Sequence, residues 1–141
     1  MPTEIISKAI GTNRLERRYR VDYTEFVDAS TTQTLDLVTL PASAVGISCV
    51  VHNIAAATDA GSISALGLEV GSAGDPNMMF TSVDMFGSTG YYQNVAAGSV
   101  AFWGGTAVKV KATATGANLG SGSATDLDSG SFEIILRYEV L

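Results

Sequence analysis

Cysteine, histidine and charged residues are scarce in this chain of 141 residues. Cys49 is the only cysteine, so no disulfide can form within the chain, and the composition excludes a small secreted domain held together by disulfides. Charged residues make up only 16% of the sequence, whereas about a quarter is usual in globular domains. A surface with so few charges is partly uncharged, and association between copies is one way to cover it. The composition therefore favours one globular domain that folds in a reducing compartment and associates with itself.

The sequence also lacks long hydrophobic runs. No stretch approaches the roughly 20 apolar residues that are needed to cross a bilayer. The first 20 residues contain no apolar core of the kind that a signal peptide requires. These absences predict a protein that is made and folded in the cytoplasm and has no membrane partner.

Charge is distributed unevenly along the chain, whose net charge is −6. Residues 1–20 carry five basic and two acidic side chains, a net charge of +3, while residues 21–141 carry three basic and 12 acidic side chains, a net charge of −9. Gly11-Thr12-Asn13 favours an extended conformation over a helix in the first part. The sequence therefore predicts a basic N-terminal arm, residues 1–20, followed by a single β-sandwich domain, residues 21–141.

The basic arm is a candidate contact surface. Tyr19 lies among arginines, a composition found in nucleic-acid-binding segments, but the acidic domain beside it would repel phosphates and keep such binding weak. An acidic protein surface is the favoured partner, including the domain of a second copy, and a solvated first strand is the alternative. The candidate contact residues of the arm are Arg14, Arg17, Arg18 and Arg20.

Alternating apolar and polar residues predict β-strands from Arg18 to the C-terminus. The predicted strands include residues 18–24, 34–40, 46–54, 63–70, 99–103, 107–115 and 131–141. Two connections, about residues 71–98 and 116–130, are too long for hairpin turns, and long crossovers between sheets are typical of a jelly roll. The predicted fold is an all-β, antiparallel jelly-roll β-sandwich of about eight strands with a short N-terminal arm.

The connection that follows residue 70 begins with turn residues and continues with large apolar side chains. Gly, Asp, Pro and Asn occupy much of residues 71–77, and Met78, Met79 and Phe80 come next. We expect this stretch to cross from one sheet to the other. Its apolar residues either pack beneath the loop as an extension of the core or form part of a subunit interface, for which these three are the candidates.

The single histidine, His52, is the natural candidate for acid–base chemistry. It lies three residues from Cys49, and on one strand an odd spacing sends two side chains to opposite faces, so they cannot form a Cys–His pair. The sequence contains no nucleophile elbow, phosphate-binding loop or zinc-protease motif. A buried structural histidine is the favoured interpretation, and we expect no enzymatic activity.

Two groups of oxygen-bearing side chains are candidates for binding calcium. One group is Asp75, Asn77 and Asp84, and the other is Asp126 and Asp128. Neither group has the spacing of an EF-hand, and the Asp-Pro-Asn sequence is equally what a turn requires. We therefore assign no metal and no cofactor.

Four aromatic residues offer a carbohydrate-binding interpretation, because exposed aromatic rings can stack on sugar rings. The candidates are Tyr91, Tyr92, Phe102 and Trp103. A core position for Trp103 at the end of a strand is the favoured alternative.

A recognisable order of motifs begins at residue 34. An apolar strand over residues 47–54 is followed by a strand that ends in Val70-Gly71, an Asp75-Pro76 turn, and a last strand over residues 130–138 that alternates up to Tyr138. This order resembles that of small jelly-roll structural proteins of tailed bacteriophages, which include capsid decoration (cement) proteins and head-fibre bases. The resemblance covers about residues 34–141 and brings no catalytic residues with it.

The resemblance implies a role in the virion. A protein of this kind would be made in the host cytoplasm, form a homotrimer, bind the major capsid protein and stabilise the phage head. A neck or tail connector, or a fibre component of the virion, is the alternative in the same setting, and a carbohydrate-binding jelly-roll module is the alternative outside it. Neither a membrane nor a nucleic acid is expected as a partner.

Overall fold

The computed structural model describes residues 2–11, 13–93 and 104–141, and these residues form an all-β fold. The strands are β1 (Thr3–Gly11), β2 (Arg14–Asp22), β3 (Thr32–Thr39), β4 (Ala44–Thr58), β5 (Ala65–Gly71), β6 (Phe80–Asp84), β7 (Gly90–Tyr92), β8 (Ala107–Thr115) and β9 (Ser129–Val140). A single 3₁₀ turn, Tyr23–Glu25, is the one helical element in these ranges. No helix in the described part of the chain is long and apolar enough to cross a membrane. The strand predicted over residues 99–103 lies outside the described residues.

The strands form two antiparallel sheets that enclose one core. One sheet has five strands in the order β1-β2-β9-β4-β7, and the other has four in the order β3-β8-β5-β6. Four of the antiparallel pairs are nested in sequence order around the β5–β6 hairpin: β2 pairs with β9, β3 with β8, β4 with β7 and β5 with β6. Apart from β1, the chain is a ribbon of four such pairs, two in each sheet. The predicted all-β architecture of antiparallel sheets is confirmed.

The N-terminal residues are part of the five-stranded sheet. The sequence predicts an arm over residues 1–20, whereas the structure places most of them in an antiparallel hairpin of β1 and β2. β2 also pairs with β9 over all nine of its residues, so the predicted boundary at residue 20 falls inside a strand. The alternation of β2 is hidden in the sequence because charged side chains occupy neighbouring positions, as at Glu16 and Arg17.

Residues 72–79 form a loop within one sheet, which corrects the expectation that this stretch crosses between sheets. The two strands on either side of it, β5 and β6, are antiparallel neighbours. The backbone N–H groups of Ser72 and Met78 both donate to the carbonyl oxygen of Asp75, at 3.0 and 3.2 Å. The Gly-Asp-Pro-Asn signal therefore marks a closed hairpin loop, and the crossing to the other sheet that follows β5 comes later, between β6 and β7.

Gly71, at the start of this loop, is expected to tolerate no side chain. A Cβ atom on Gly71 would lie 2.2 Å from the carbonyl oxygen of Asp75 and 2.7 Å from the carbonyl carbon of Pro76. Because both are backbone atoms, we expect Gly71→Ala to lower the free energy of unfolding by about 1–3 kcal/mol, measured by urea denaturation. Gly74→Ala is the matched control, since nothing lies within 4 Å of its added Cβ atom. Equal losses in the two variants would contradict this explanation.

The core lies between the two sheets. Phe26, Phe80 and Phe132 are its largest fully buried side chains, and the rings of Phe26 and Phe132 are 6.5 Å apart. Cys49 belongs to the same core, and burial raises the pKa of its thiol to about 12. The thiol therefore stays protonated and unreactive near neutral pH. The predicted one-sided alternation of the last strand is confirmed by its buried residues Phe132, Ile134, Leu136 and Tyr138.

Candidate interaction surface

Two glutamates are buried on a sheet face that points away from the core. In β2, Tyr19 and Val21 belong to the core, so the even-numbered residues of that strand lie on the opposite, outer face. Glu16 of β2 is only 1% exposed there, and Glu133 of β9 is 7% exposed. Carboxylates are rarely buried unless they are paired. The outer face of the five-stranded sheet is therefore the candidate interaction surface.

Two arginines bind these glutamates and form with them a charged network, defined as Glu16, Arg18, Glu133 and Arg137. Glu16 accepts hydrogen bonds from Nε of Arg137 at 2.7 Å and from Nε of Arg18 at 3.1 Å. Arg18 also donates from Nη1 to Oε1 of Glu133 at 3.1 Å. The ladder between β2 and β9 positions the network, because it places Glu16 directly opposite Arg137.

The network favours the charged forms of Glu16 and Arg18. Burial acts to raise the pKa of Glu16, but hydrogen bonds from Arg137 and Arg18 outweigh burial and hold that pKa below its ordinary value. The hydrogen bond to Glu16 in turn raises the pKa of Arg18. Glu16 is therefore ionised at neutral pH in spite of its burial.

A stacked pair of rings continues the outer face on the far side of β9. The centroids of His52 on β4 and Tyr91 on β7 are 4.0 Å apart, and the ring planes differ by 15°. His52 lies opposite Glu133 in one ladder and opposite Tyr91 in the next. His52 is half-buried on this face, while Cys49 lies in the core, so the predicted opposite directions of the two side chains are confirmed.

The predicted contact arginines all have partners within the chain, beginning with Arg18 in the network. Nε of Arg14 donates to Glu139 at 3.0 Å, Nε of Arg17 to Oγ of Ser7 at 3.4 Å, and Nη1 of Arg20 to Oγ of Ser131 at 3.3 Å. Alternation along β2 brings Arg14, Arg18 and Arg20 to the outer face and turns Arg17 to the other side. Their contact with another protein stays a prediction.

Sequence reasoning missed the residues of β9 that complete this surface. Glu133, Arg137 and Glu139 lie on the side of the last strand opposite its core residues, in a row of alternate positions that also contains the buried Ile135. The three charged residues of that row were a usable signal for an outer face. The sequence could not indicate which residues bind those of β9, because the hydrogen-bonded groups are 115 to 125 positions apart in the chain.

The three apolar interface candidates differ in exposure. Met79 and Phe80 are buried in the core, whereas Met78 is half-buried and packs against it. A fully buried side chain has no surface left for a partner, so Met78 is the member of the set that retains surface for a contact. An interface at this loop stays a prediction.

Phe80→Ala is expected to lower the free energy of unfolding by about 3–5 kcal/mol, because it removes a completely buried ring from the core. Met78→Ala, two residues away, is expected to cost less than about 1.5 kcal/mol, since part of that side chain is already in solvent. Urea denaturation measures both. Similar losses in the two variants would show that the loop packs differently from the arrangement described.

Two of the candidate calcium ligands, Asp84 and Asp128, accept hydrogen bonds from backbone N–H groups. Oδ1 of Asp84 accepts from the backbone N–H groups of Leu66 and Phe86, each at 3.0 Å. Oδ2 of Asp128 accepts from the backbone N–H of Ala60 at 2.7 Å. Across residues 2–11, 13–93 and 104–141, no three His, Cys, Asp or Glu side chains are grouped so as to hold a metal ion.

The candidate sugar-binding aromatics are only partly described. Tyr91 is exposed and stacks on His52, and the hydroxyl of Tyr92 donates to the carbonyl oxygen of Ser88. Phe102 and Trp103 lie outside the described residues.

An open cleft of about 370 Å³ lies beside the charged network. It is lined by Ile10, Arg14, Ser48, Arg137, Tyr138 and Glu139. Two arginines border it against one glutamate, so the cleft is a concave, predominantly basic part of the outer face.

Comparison with known proteins gives one informative result, which concerns the fold. No model of a known protein family matches the chain, and no curated protein matches it. The structure superposes on a chain of the cyanophage Pam1 capsid asymmetric unit with a TM-score of 0.60. This chain shares that fold. The similarity covers 97% of this chain and 91% of the cyanophage chain, with 17% sequence identity.

Proposed function

We propose that this chain is a structural protein of a tailed-bacteriophage virion, and specifically a capsid decoration protein that binds the major capsid protein and stabilises the head. The observation that carries the proposal is the shared fold with a chain of a phage capsid asymmetric unit, over nearly the full length of both chains. The order of sequence motifs over residues 34–141 supports the same assignment, because it resembles that of small jelly-roll virion proteins.

The pairing of strands supports a jelly roll. A jelly roll contains eight strands in two sheets built from Greek-key connections. The orders β2-β9-β4-β7 and β3-β8-β5-β6 are those of a four-pair antiparallel ribbon rolled into two sheets, with β1 added at one edge. We infer that the chain is a jelly roll extended by this ninth strand.

The distribution of basic residues indicates which face of the protein docks on the capsid. Six of the eight basic residues of the chain lie on β1, β2 and β9, and the other two lie on β8. We infer that the outer face of the five-stranded sheet, with its basic cleft, docks on acidic patches of the shell. Burial of uncharged surface across a junction of capsid subunits would then add interface area that opposes the outward pressure of packaged DNA.

The remaining parts of the proposal follow from the same assignment. The protein forms a homotrimer, has a structural rather than catalytic role, and is located on the phage head after synthesis in the host cytoplasm. Neither a nucleic acid nor a membrane is a partner.

The test is binding of the purified protein to heads of its own phage that lack it. We expect co-sedimentation at a stoichiometry matching repeated sites on the shell, and heads that retain DNA at higher temperature when the protein is bound. Arg14→Glu should weaken binding at least about tenfold. Lys111→Glu, the same charge change on the other sheet, is the control and should bind normally.

Two results would overturn the proposal. One is the absence of binding to heads at any salt concentration. The other is a copy number of six or twelve per virion, which is the expectation for a neck or tail ring. Normal binding of Arg14→Glu would remove the basic face as the docking side and leave the head assignment intact.

A further inference from the structure

The open cleft beside the charged network is bordered by two arginines that are diagonal neighbours on the outer face. Arg14 on β2 lies opposite Glu139 on β9. Two positions along the same ladder, Arg137 on β9 lies opposite Glu16 on β2. Diagonal neighbours in an antiparallel pair are about 7–8 Å apart, a distance that long side chains bridge. Both arginines line the same cleft, so two guanidinium groups are within reach of one ligand there.

A glutamate of the chain orients each arginine. Nε of Arg137 donates to Glu16 at 2.7 Å, and Glu16 is a fixed anchor because it is only 1% exposed. Nε of Arg14 donates to Glu139 at 3.0 Å. Within the described residues, the hydrogen bonds of these two arginines use Nε alone. The side chains of Arg14 and Arg137 are 62% and 54% exposed, so their Nη groups are accessible to a ligand.

Guanidinium groups held in this way are suited to a carboxylate. Arginine binds a carboxylate through paired N–H···O hydrogen bonds, and groups that are already held in place lose little conformational entropy when they bind. Glu139 is the only carboxylate among the lining residues of the cleft, and it already accepts from Arg14. A carboxylate from outside would therefore meet two guanidinium groups and balance the excess positive charge of the lining.

An exposed isoleucine forms another part of the lining. Ile10 on β1 lies at the irregularity where the register with β2 shifts between Ala9 and Gly11, and it is 42% exposed. An apolar side chain that packs on Ile10 would remove apolar surface from water. Alternate side chains of an extended chain point the same way. The cleft therefore fits an extended segment that carries an acidic and an apolar side chain two positions apart.

We propose that the cleft binds an extended segment of the major capsid protein through two side chains: a carboxylate held by the Nη groups of Arg14 and Arg137, and an apolar side chain that packs on Ile10. The inference rests on the proposed function, and it specifies the element of the shell that the basic face recognises. A protein segment is favoured over a small anion because the cleft is open and combines a basic with an apolar wall. Recognition then depends on the geometry of the cleft as well as on its charge.

A substitution that keeps the charge of Arg14 tests this geometry. Arg14→Lys retains the positive charge but loses the paired N–H donors, so it should weaken binding to heads that lack the protein at least about tenfold. Arg20→Lys is the matched control, because Arg20 lies on the same face outside the cleft and should tolerate the change. Co-sedimentation over a concentration series measures both. Binding of Arg14→Lys at wild-type strength would contradict the inference.

The apolar contact has its own test on β1. Ile10→Ser should weaken head binding at least about fivefold, because it removes the apolar wall of the cleft. Ile5→Ser is the matched control, since Ile5 is 45% exposed on the same strand and does not line the cleft. Equal effects of the two substitutions would refute the assignment of Ile10.

A soluble probe separates the cleft from the phage head. The probe is a short capped peptide of glycines that carries one glutamate and one leucine two positions apart, and nuclear magnetic resonance titration of the isotope-labelled protein measures its binding. We expect the Nε–H signals of Arg14 and Arg137 and the backbone amide signal of Ser48 to shift, because these residues line the cleft. The same peptide with glutamine in place of glutamate should bind at least about tenfold more weakly. Inorganic phosphate should also bind more weakly, because it makes no contact with Ile10.

The outcomes distinguish this inference from the proposed function. If the protein binds heads but the peptide leaves the signals of the cleft unchanged, the cleft is not a carboxylate site and the docking proposal stands on other residues. Equal binding of the glutamine peptide or of phosphate would overturn the inference in the same way. If the peptide binds in the cleft but the protein does not bind heads, the proposed function is refuted and the cleft remains a receptor for acidic segments.

Discussion

Deletion of residues 1–20 is expected to abolish cooperative folding, because it removes β1 and all but two residues of β2. β2 lies inside the sheet between β1 and β9, and its Tyr19 is part of the core. The deletion would leave β9 without one of its two neighbours and open the core along that side. The loss would be comparable to the whole stability of a typical domain, about 5–15 kcal/mol. We expect no cooperative thermal transition by circular dichroism or calorimetry.

Deletion of residues 1–11 is the matched control for this prediction. It removes β1 alone, whose described residues are almost all exposed, and leaves the pairing of β2 with β9 intact. We expect this variant to fold cooperatively with a lower melting temperature. A cooperative transition for the longer deletion would show that the β-sandwich folds without residues 1–20, as expected if these residues formed the arm that the sequence predicts.

Arg18→Met is expected to lower the free energy of unfolding by about 3–5 kcal/mol at pH 7. The substitution keeps a long side chain over the outer face but removes the cation that Glu16 and Glu133 share. Both glutamates are buried. Removing the cation of a buried ion pair is strongly destabilising, because the negative charge that remains is buried without its partner. Denaturation in urea at pH 7 measures the loss.

The same variant should show a specific dependence on pH. In the wild type the pKa of Glu16 is held below its ordinary value of 4.5, so its contribution to stability is complete above that pH and is lost as the pH falls through the lowered pKa. Arg18→Met raises the pKa of Glu16 and reduces this contribution. The difference between variant and wild type should therefore shrink as the pH is lowered below 4.5.

Arg14→Met is the control for Arg18→Met. The ion pair between Arg14 and Glu139 has a similar length, 3.0 Å, but its side chains are 62% and 43% exposed. Exposed pairs contribute about 0–1 kcal/mol, so this variant should lose little stability. Equal losses for Arg14→Met and Arg18→Met at pH 7 would argue that the network adds nothing beyond surface electrostatics.

Much of the fold was accessible from the sequence because it depends on local alternation. The strands over residues 34–40, 46–54 and 107–115 correspond closely to β3, β4 and β8. The same alternation assigned the core face of β9 and the opposite directions of Cys49 and His52. Binding of the β9 residues to β2 could not be predicted in this way, since period-2 patterns specify a face and not a partner.

The sequence by itself determined that this is an antiparallel all-β protein, with strand faces set by alternating side chains and turns set by Gly, Asp, Pro and Asn. The tertiary structure alone decided that the basic N-terminal residues form two strands, that the loop over residues 72–79 stays within one sheet, and that Glu16 is buried between two arginines. The physical reason is separation along the chain. Side-chain direction and turn conformation depend on neighbouring residues, whereas the place of a strand in its sheet depends on contacts that neighbouring residues do not specify, such as the pairing of β2 with β9 and the hydrogen bond from Arg137 to Glu16, both between segments more than 100 positions apart.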